Sequence, residues 1–516
     1  MHMKKIDFWK SKIKQNQKKF LCLENSIKDQ KCIIKKCDLA FEAAQYAVNH
    51  TTDIFSSEII ESAFRELASQ YNVELSDSVN EDTILHIATE TYSIGGHTRC
   101  IERWIELLPE YKHSCVILRQ KEKVPTLLHE FIDGSGGELV LFDIEANILQ
   151  KSLKLRKFAS SFQYIILHTH MDDPIALVAF GTEEFKRPIV FFNHADHAFW
   201  LGVSISDYVA DLNAYRNSIS IEKRGVINSS VLGIPVDDTK ILKIEKIDAR
   251  KKLDIKVNKK VIFSSGSPNK YDPLDSPNFY DIVNNLVKKD KDIIFYIAGA
   301  DEKSIFWPKL KEKWPDNLFL TGRLDYKSEY PLYLAAADLV IDSYPVGGET
   351  SMIDAVKVGK PILTLNEVMA ADFCVNSEAC CHTFEELIEK AFNILNDNNY
   401  AQKVYEDIYV KWKMETDPIV WREKCKLILS NLPEKHKIYE FKRATLDNDV
   451  TRCSLETCRW TEPTFGDDGV WKKIKELRKK IIQIRIKKNE KIIRICGWYL
   501  LRFKGDFSAK TRNNIF

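Results

Sequence analysis

The stretch ADLVIDSYPVGGETSMIDAVKVGKPILTL, residues 337–365, leaves the chain the fewest folds to choose from. Leu339, Val340 and Ile341 are apolar and mostly β-branched, as a strand buried on both faces requires. Gly347 and Gly348 let the backbone turn and approach a ligand closely. Glu349, Thr350 and Ser351 stand where a helix begins, with backbone N–H groups and hydroxyls facing the turn. Such a turn takes an anion, and a diphosphate fits it. Asp354, on the first turns of the helix, is placed for a ribose hydroxyl. Gly359, Lys360 and Pro361 stop the helix, and Ile362–Leu365 resumes a strand.

The same step recurs along the chain in two series. Strands are expected over Thr83–Thr89, Ser114–Gln120, Gly136–Asp143, Tyr164–His170 and Pro188–Trp200, with a linker strand in 225–238. A second series runs through Lys259–Pro273, Asp292–Ala300, Asn317–Arg323, Leu339–Pro345 and Ile362–Leu365, with helices over Phe279–Lys289 and Tyr330–Asp338. Strands alternating with helices predict doubly wound parallel sheets. At 516 residues the chain exceeds one core. The expected division is a helical accessory region over 1–80, an acceptor-side Rossmann-like domain over 81–245, a donor-side one over 246–445 and a basic helical tail over 446–516. Leu39, Ala40, Ala43, Ala44 and Ala47, then Ile59, Ile60, Ala63, Phe64 and Leu67, fall at helical spacing in the first region. A hinge is expected between Asp237 and Lys256. Sheets of this kind bind ligands outside the carboxyl ends of their strands.

The donor-type turn, with the order strand end, glycine turn, Thr350-Ser351, Asp354 and Gly359-Lys360-Pro361, resembles nucleotide-sugar glycosyltransferases of the GT-B fold. It is similar above all to the O-GlcNAc-transferase-like group and its bacterial relatives. The resemblance covers Thr83 to Leu365. It implies an α/β fold of two facing Rossmann-like domains, a nucleoside diphosphate sugar bound by the second, and no metal or other cofactor. It also implies that Lys270, in SGSPNKYDP, contacts the donor diphosphate, beside Ser265 and Gly266. The chain departs from the pattern at three places. Val346 stands where retaining members carry Glu, Ser-Pro-Asn precedes Lys270 where they carry Arg, and Glu349 replaces a His. Neither stereochemistry nor sugar is therefore assigned.

Gly95, Gly96, His97 and Arg99 follow the first strand and open a helix, where two glycines let backbone N–H groups face the cleft; the GT-B resemblance implies that this loop touches the donor or the acceptor, although a plain tight turn reads the same way. His168, His170, His194 and His197 gather at two strand ends with Asp172, Asp173 and Asp196. A neutral imidazole there can take a hydroxyl proton. His170 is the first choice for that role and His194 the second. Lys270 is the cation for the leaving diphosphate. Asp172, Asp196, His97, Arg99, His168 and His197 support the site or meet the acceptor. Arg323 ends another strand and faces the base or phosphate. His and Asp also ligate metals, but no D-x-D motif ends a strand. Asp290-Lys291-Asp292 precedes one, and Asp447-Asn448-Asp449 lies in a polar region.

The formal net charge of +2 gives no global drive toward nucleic acid. The basic stretch Trp471–Lys504 is the exception. Read as a helix with an apolar face, it suits an anionic membrane surface, and no nucleic-acid module accompanies it. The N-terminus has no apolar secretory core, no apolar run is long enough to span a bilayer, and no C-x-x-C pair suggests zinc. The expectation is a cytoplasmic enzyme, peripheral at the inner face of the membrane. It would move a hexosyl or N-acetylhexosaminyl group from a UDP-sugar to a hydroxyl of a bacterial surface glycan precursor. That acceptor is a glycan, lipid-linked or protein. The alternatives are protein O- or N-glycosylation, a UDP-sugar 2-epimerase, and a degenerate glycan- or partner-binding scaffold.

Overall fold

The computed structural model describes residues 5–461, 483–487, 490–495 and 498–504, apart from 93–95, 196, 235–243, 272, 274–275, 301–306, 327, 349, 367–373, 443–445 and 447–448. Two parallel sheets organise the chain. The first contains β1 (Asn80–Ala88), β2 (Lys112–Ile117), β3 (Leu139–Leu141), β4 (Phe162–His168), β5 (Ile189–Phe192), β6 (Tyr208–Asp211) and β7 (Ser229–Val231). The second contains β8 (Lys260–Ser265), β9 (Ile293–Ala298), β10 (Leu318–Gly322), β11 (Leu339–Ile341), β12 (Ile362–Leu365) and β13 (Cys380–Cys381).

Their orders are β3-β2-β1-β4-β5-β6-β7 and β10-β9-β8-β11-β12-β13. Each sheet starts in its middle and winds outward in both directions. Its switch point therefore lies between the first and fourth strands, where a crevice opens. The central strands are buried on both faces, as in Val261–Ser264 and Leu339–Ile341, which explains their continuous apolar runs. The two doubly wound sheets implied by the GT-B resemblance are present.

Three helices precede the first sheet: α1 (Lys5–Lys28), α2 (Ile33–Asn49) and α3 (Glu58–Ala68). Ser57 caps α3 by accepting from Ile60 N–H. Ala40, Ala43, Phe64 and Leu67 share one core with Leu85, Ile165 and Phe191. The helices thus complete the first sheet's packing. Arg156 fixes this junction: its guanidinium donates to the carbonyls of Ala68, Tyr71, Val178 and Ala179, at the ends of α3 and a neighbouring helix. Carbonyls in the last turn of a helix lack intrahelical N–H partners, and a guanidinium with five donors can serve several of them at once.

The chain returns to the first half after the second sheet. On the helix Pro418–Ser430, Trp421 packs edge-on against Trp104 at 5.4 Å and donates to the Gly233 carbonyl. Beyond it, His436 Nδ1, Lys437 N–H and Tyr439 OH converge on the buried Asp207 carboxylate. The tail departs from expectation. It is helical over Arg452–Thr461, but three strands, β14 (Gln483–Lys487), β15 (Glu490–Ile495) and β16 (Trp498–Lys504), pair into an antiparallel sheet. The alternation Ile-Arg-Ile-Lys has a period of two and is rich in β-branched residues, and it outweighs the helical reading of the charges. Residues 471–482 lie outside the described residues. No described helix is long and apolar enough to cross a membrane.

Candidate functional site

At the switch point of the second sheet a cavity of about 510 Å³ opens at the strand ends. β8 supplies Ser265 and Gly266, β9 leads into Ala298 and Gly299, and Arg323 follows β10. The helix Thr350–Lys357 closes it with Thr350, Ser351 and Asp354. Lys270 reaches across and donates to the Gly347 carbonyl at 2.6 Å. Arg323 has no ion-pair partner among the described residues.

Close backbone approach shapes the floor. Gly299 has φ of +85°, and a Cβ there would lie 2.1 Å from the Gly266 carbonyl oxygen. At Gly348 a Cβ would meet Ser351 Oγ at 2.2 Å. Gly299 is closed to a side chain as the backbone stands, and at Gly348 a side chain would displace the Ser351 hydroxyl. The Gly348 N–H donates to Asp342 Oδ1 at 2.7 Å, and Thr364 Oγ1 donates to Asp342 Oδ2. Burial pushes the Asp342 carboxyl up to about 6, against the Gly348 N–H and the Lys270 charge. Asp354 accepts from Tyr326 OH at 3.1 Å, and burial raises it to about 6 as well. Its second oxygen has no hydrogen-bond donor among the described residues.

The candidate residues Ser265, Gly266, Lys270, Arg323, Gly348, Thr350, Ser351 and Asp354 thus line one cavity, and Gly347 joins them through Lys270. Gly95, Glu349 and Asp196 lie outside the described residues. Gly96 begins the helix Gly96–Leu107. Gly299, Tyr326 and Tyr330 were not singled out in sequence. A glycine ending the run IIFYIA was the available signal for the first, and the two tyrosines give none.

At the switch point of the first sheet, His170 Nε2 meets Tyr92 OH at 3.2 Å, and Tyr92 OH donates to Glu90 Oε2 at 2.8 Å. Thr89 Oγ1 receives the His170 N–H and donates to Asp173 Oδ2, which holds the loop. With the tyrosine proton on Glu90's side, His170 Nε2 carries its hydrogen and Nδ1 is left as an acceptor. Burial lowers His170 below the ordinary histidine range, against Asp173. Burial works against an ionised Glu90, yet the Tyr92 hydrogen bond and Lys121 hold its carboxyl low.

His97, His168 and His194 come together. The His97 and His194 rings stack at 4.0 Å, and His168 Nδ1 lies 3.0 Å from His194 Nε2. Three other candidates turn elsewhere. Arg99 pairs with Glu102 one helical turn on. Asp172 accepts from Gln45 on α2. The His197 carbonyl accepts from Thr457, and the residue lines a separate small cavity with Thr51 and Phe55. The spacing His194-x-x-His197 put both at one strand end, but the chain has left the strand by then and turns toward Arg452–Thr461. Asp290 and Asp292 pair with Lys260 and Lys259 before β9. Among the described residues, no group of three His, Cys, Asp or Glu is arranged to hold a metal ion.

No protein-family model matches the chain, and no curated protein matches it. Solved structures that superpose on it include the Anabaena protein HepE in complex with UDP and glucose, at 13% identity and a TM-score of 0.48, covering 67% of this chain and 99% of that one. An O-GlcNAc transferase mutant of Thermobaculum terrenum aligns at 10% identity and a TM-score of 0.47, over 81% of each chain. A sucrose-phosphate synthase of Thermosynechococcus elongatus aligns at 10% and 0.46, over 68% of this chain and 99% of that one. Likenesses this loose carry no argument about what this chain does, and its fold rests on its own strand order.

Proposed function

We propose that the chain is a glycosyltransferase that moves a sugar from a nucleoside diphosphate, UDP first, to a hydroxyl acceptor. The observation that carries the reading is the second-sheet cavity, in which cations, a glycine-shaped floor and a carboxylate meet. Lys270 and Arg323 offset the charge that grows on the departing diphosphate. The approach at Gly299 and Gly348 admits phosphate oxygens to the backbone. Asp354 accepts from a ribose hydroxyl.

On the other side, His170 Nδ1 takes the acceptor's hydroxyl proton as oxygen bonds to the anomeric carbon and the diphosphate leaves. Tyr92 links the resulting imidazolium to the Glu90 carboxylate. Closure of the two halves would complete the site. The acceptor is read as a bacterial surface glycan precursor, and the basic strands at 483–504 favour a lipid-linked one at an anionic membrane surface.

The test is a thermal-shift screen against UDP, GDP, CMP, ADP and their sugars. One nucleoside diphosphate should stabilise the protein, and Asp354→Ala should remove the effect. His170→Ala should lower turnover more than donor affinity. No response to any nucleotide would remove the basis for the reading.

A further inference from the structure

The first sheet carries a row of histidines that the transfer step above does not use. His113 lies on β2, His86 on β1, His168 on β4, and His194 just past β5. His86 Nε2 is 3.0 Å from His113 Nδ1, His86 Nδ1 is 3.2 Å from His168 Nε2, and His168 Nδ1 is 3.0 Å from His194 Nε2. Strand register builds the row. His113 lies across from Ile84, two residues before His86. His86 lies across from Ile166, two before His168. Leu167 lies across from Phe191, so His194 is two beyond the position level with His168. Each step advances by two residues, which keeps the strand histidines on one face. The row therefore climbs diagonally from the sheet interior to the carboxyl edge.

Its polarity follows from one end. His113 Nε2 lies 2.9 Å from the Leu108 carbonyl, which can only accept. So His113 carries its hydrogen on Nε2 and accepts at Nδ1. His86 must then donate from Nε2 and accept at Nδ1, and His168 does the same. His194 donates from Nε2 and keeps a lone pair on Nδ1, which has no hydrogen-bond partner among the described residues. Burial holds the rings uncharged: His113 falls to about 4, and His86, His168 and His194 lie well below the ordinary range. His194 is part-exposed, and beside it the buried His97 Nδ1 is likewise unpartnered among the described residues.

We infer that this row is a polarised chain of four Nε2–H imidazoles, anchored on the Leu108 carbonyl, that presents His194 Nδ1 as a neutral acceptor for a carbohydrate hydroxyl. His113, His86 and His168 are positioning residues, and His194 touches the ligand. The carbohydrate half of the inference rests on the proposed function; the polarity does not.

The test is ring-¹⁵N spectroscopy of histidine-labelled full-length protein at neutral pH. All four rings should be neutral with the proton on Nε2. A proton on Nδ1, or on both nitrogens, of His86, His168 or His194 overturns the polarity without any variant. His113→Asn offers an amide oxygen in place of Nδ1 and should preserve the other three tautomers, whereas His113→Phe should let His86 take the Nδ1–H form. An unchanged His86 in His113→Phe overturns the anchoring. UDP-glucose and UDP-N-acetylglucosamine, each with and without a methyl glucoside, should shift the His194 Nδ1 signal. No shift while the nucleotide stabilises the protein overturns the ligand half. The four tautomers in a protein that binds no nucleotide would instead sink the proposed function and leave the polarity standing.

Discussion

At the second sheet's switch point, Lys270 and Arg323 border a cavity lined by the buried carboxyl of Asp354, and a second buried carboxyl, Asp342, lies behind Gly348. At the first sheet's switch point, His86, His113, His168 and His194 touch one another with no carboxylate bonded among them. The two sheets share a winding order, so the architecture supplies the same place twice. What differs is the charge each place tolerates. One side retains ions because backbone N–H groups and cations oppose the cost of burial. On the other, the histidine row stays polar yet uncharged because each imidazole satisfies the next, and the nearby Glu90 carboxylate is held low, against burial, by Tyr92 and Lys121 outside the row.

The difference sets opposite responses to acid, and this is the largest effect expected. The folded-state pKa of the row and of His97 lies below the unfolded value. Their contribution is complete above the unfolded histidine pKa of 6.5 and is lost as pH falls toward about 4, the level to which His97 and His113 are lowered. Asp342 and Asp354 are raised from 3.8 to about 6, so the folded state binds their protons more tightly. Their contribution is complete at low pH and is lost as pH rises through about 6. Asp211 and Glu61 are also raised and offset part of the loss in the first half. Going from pH 7 to pH 5, hydrogen exchange should show the first sheet losing several kcal/mol of protection while the second holds or gains. Equal loss in both would break the contrast.

Gly299→Ala comes next. A Cβ there meets backbone, and φ of +85° strains any side chain. The expected loss is about 3 kcal/mol in chemical denaturation, with nucleotide binding impaired. A smaller effect of opposite sign is expected from Asp342→Asn. The amide oxygen can still accept from Gly348 N–H, and the amide nitrogen can donate to Thr364. The buried charge is gone, so stability at neutral pH should rise by about 1–2 kcal/mol and the slope between pH 4 and 6 should flatten. A destabilised Asp342→Asn would mean that the charge itself holds the turn.

How much of this was legible in sequence depended on whether a feature is local. The donor-type turn was legible because Leu339–Ile341, the two glycines, Thr350-Ser351 and Asp354 are consecutive parts of one strand-turn-helix step. The histidine row was not, since its members lie on separate strands and only the register of parallel pairing aligns them. His168 and His194 were found at their strand ends, whereas His86 and His113 were not singled out. β6, with Tyr208 and Asp211 at its ends, was too short and too polar to stand out. The tail misled because its charge pattern was weighed ahead of its alternation.

The measurement that tests the account most directly is a calorimetric titration of UDP into the wild-type chain and into Lys270→Met, which keeps the stem and removes the cation. Binding by the wild type, weakened by about 2–3 kcal/mol in a variant that still unfolds in one cooperative transition, is the predicted result. Equal affinity in the two proteins, or no binding by either, would contradict the assignment of this cavity to the donor diphosphate.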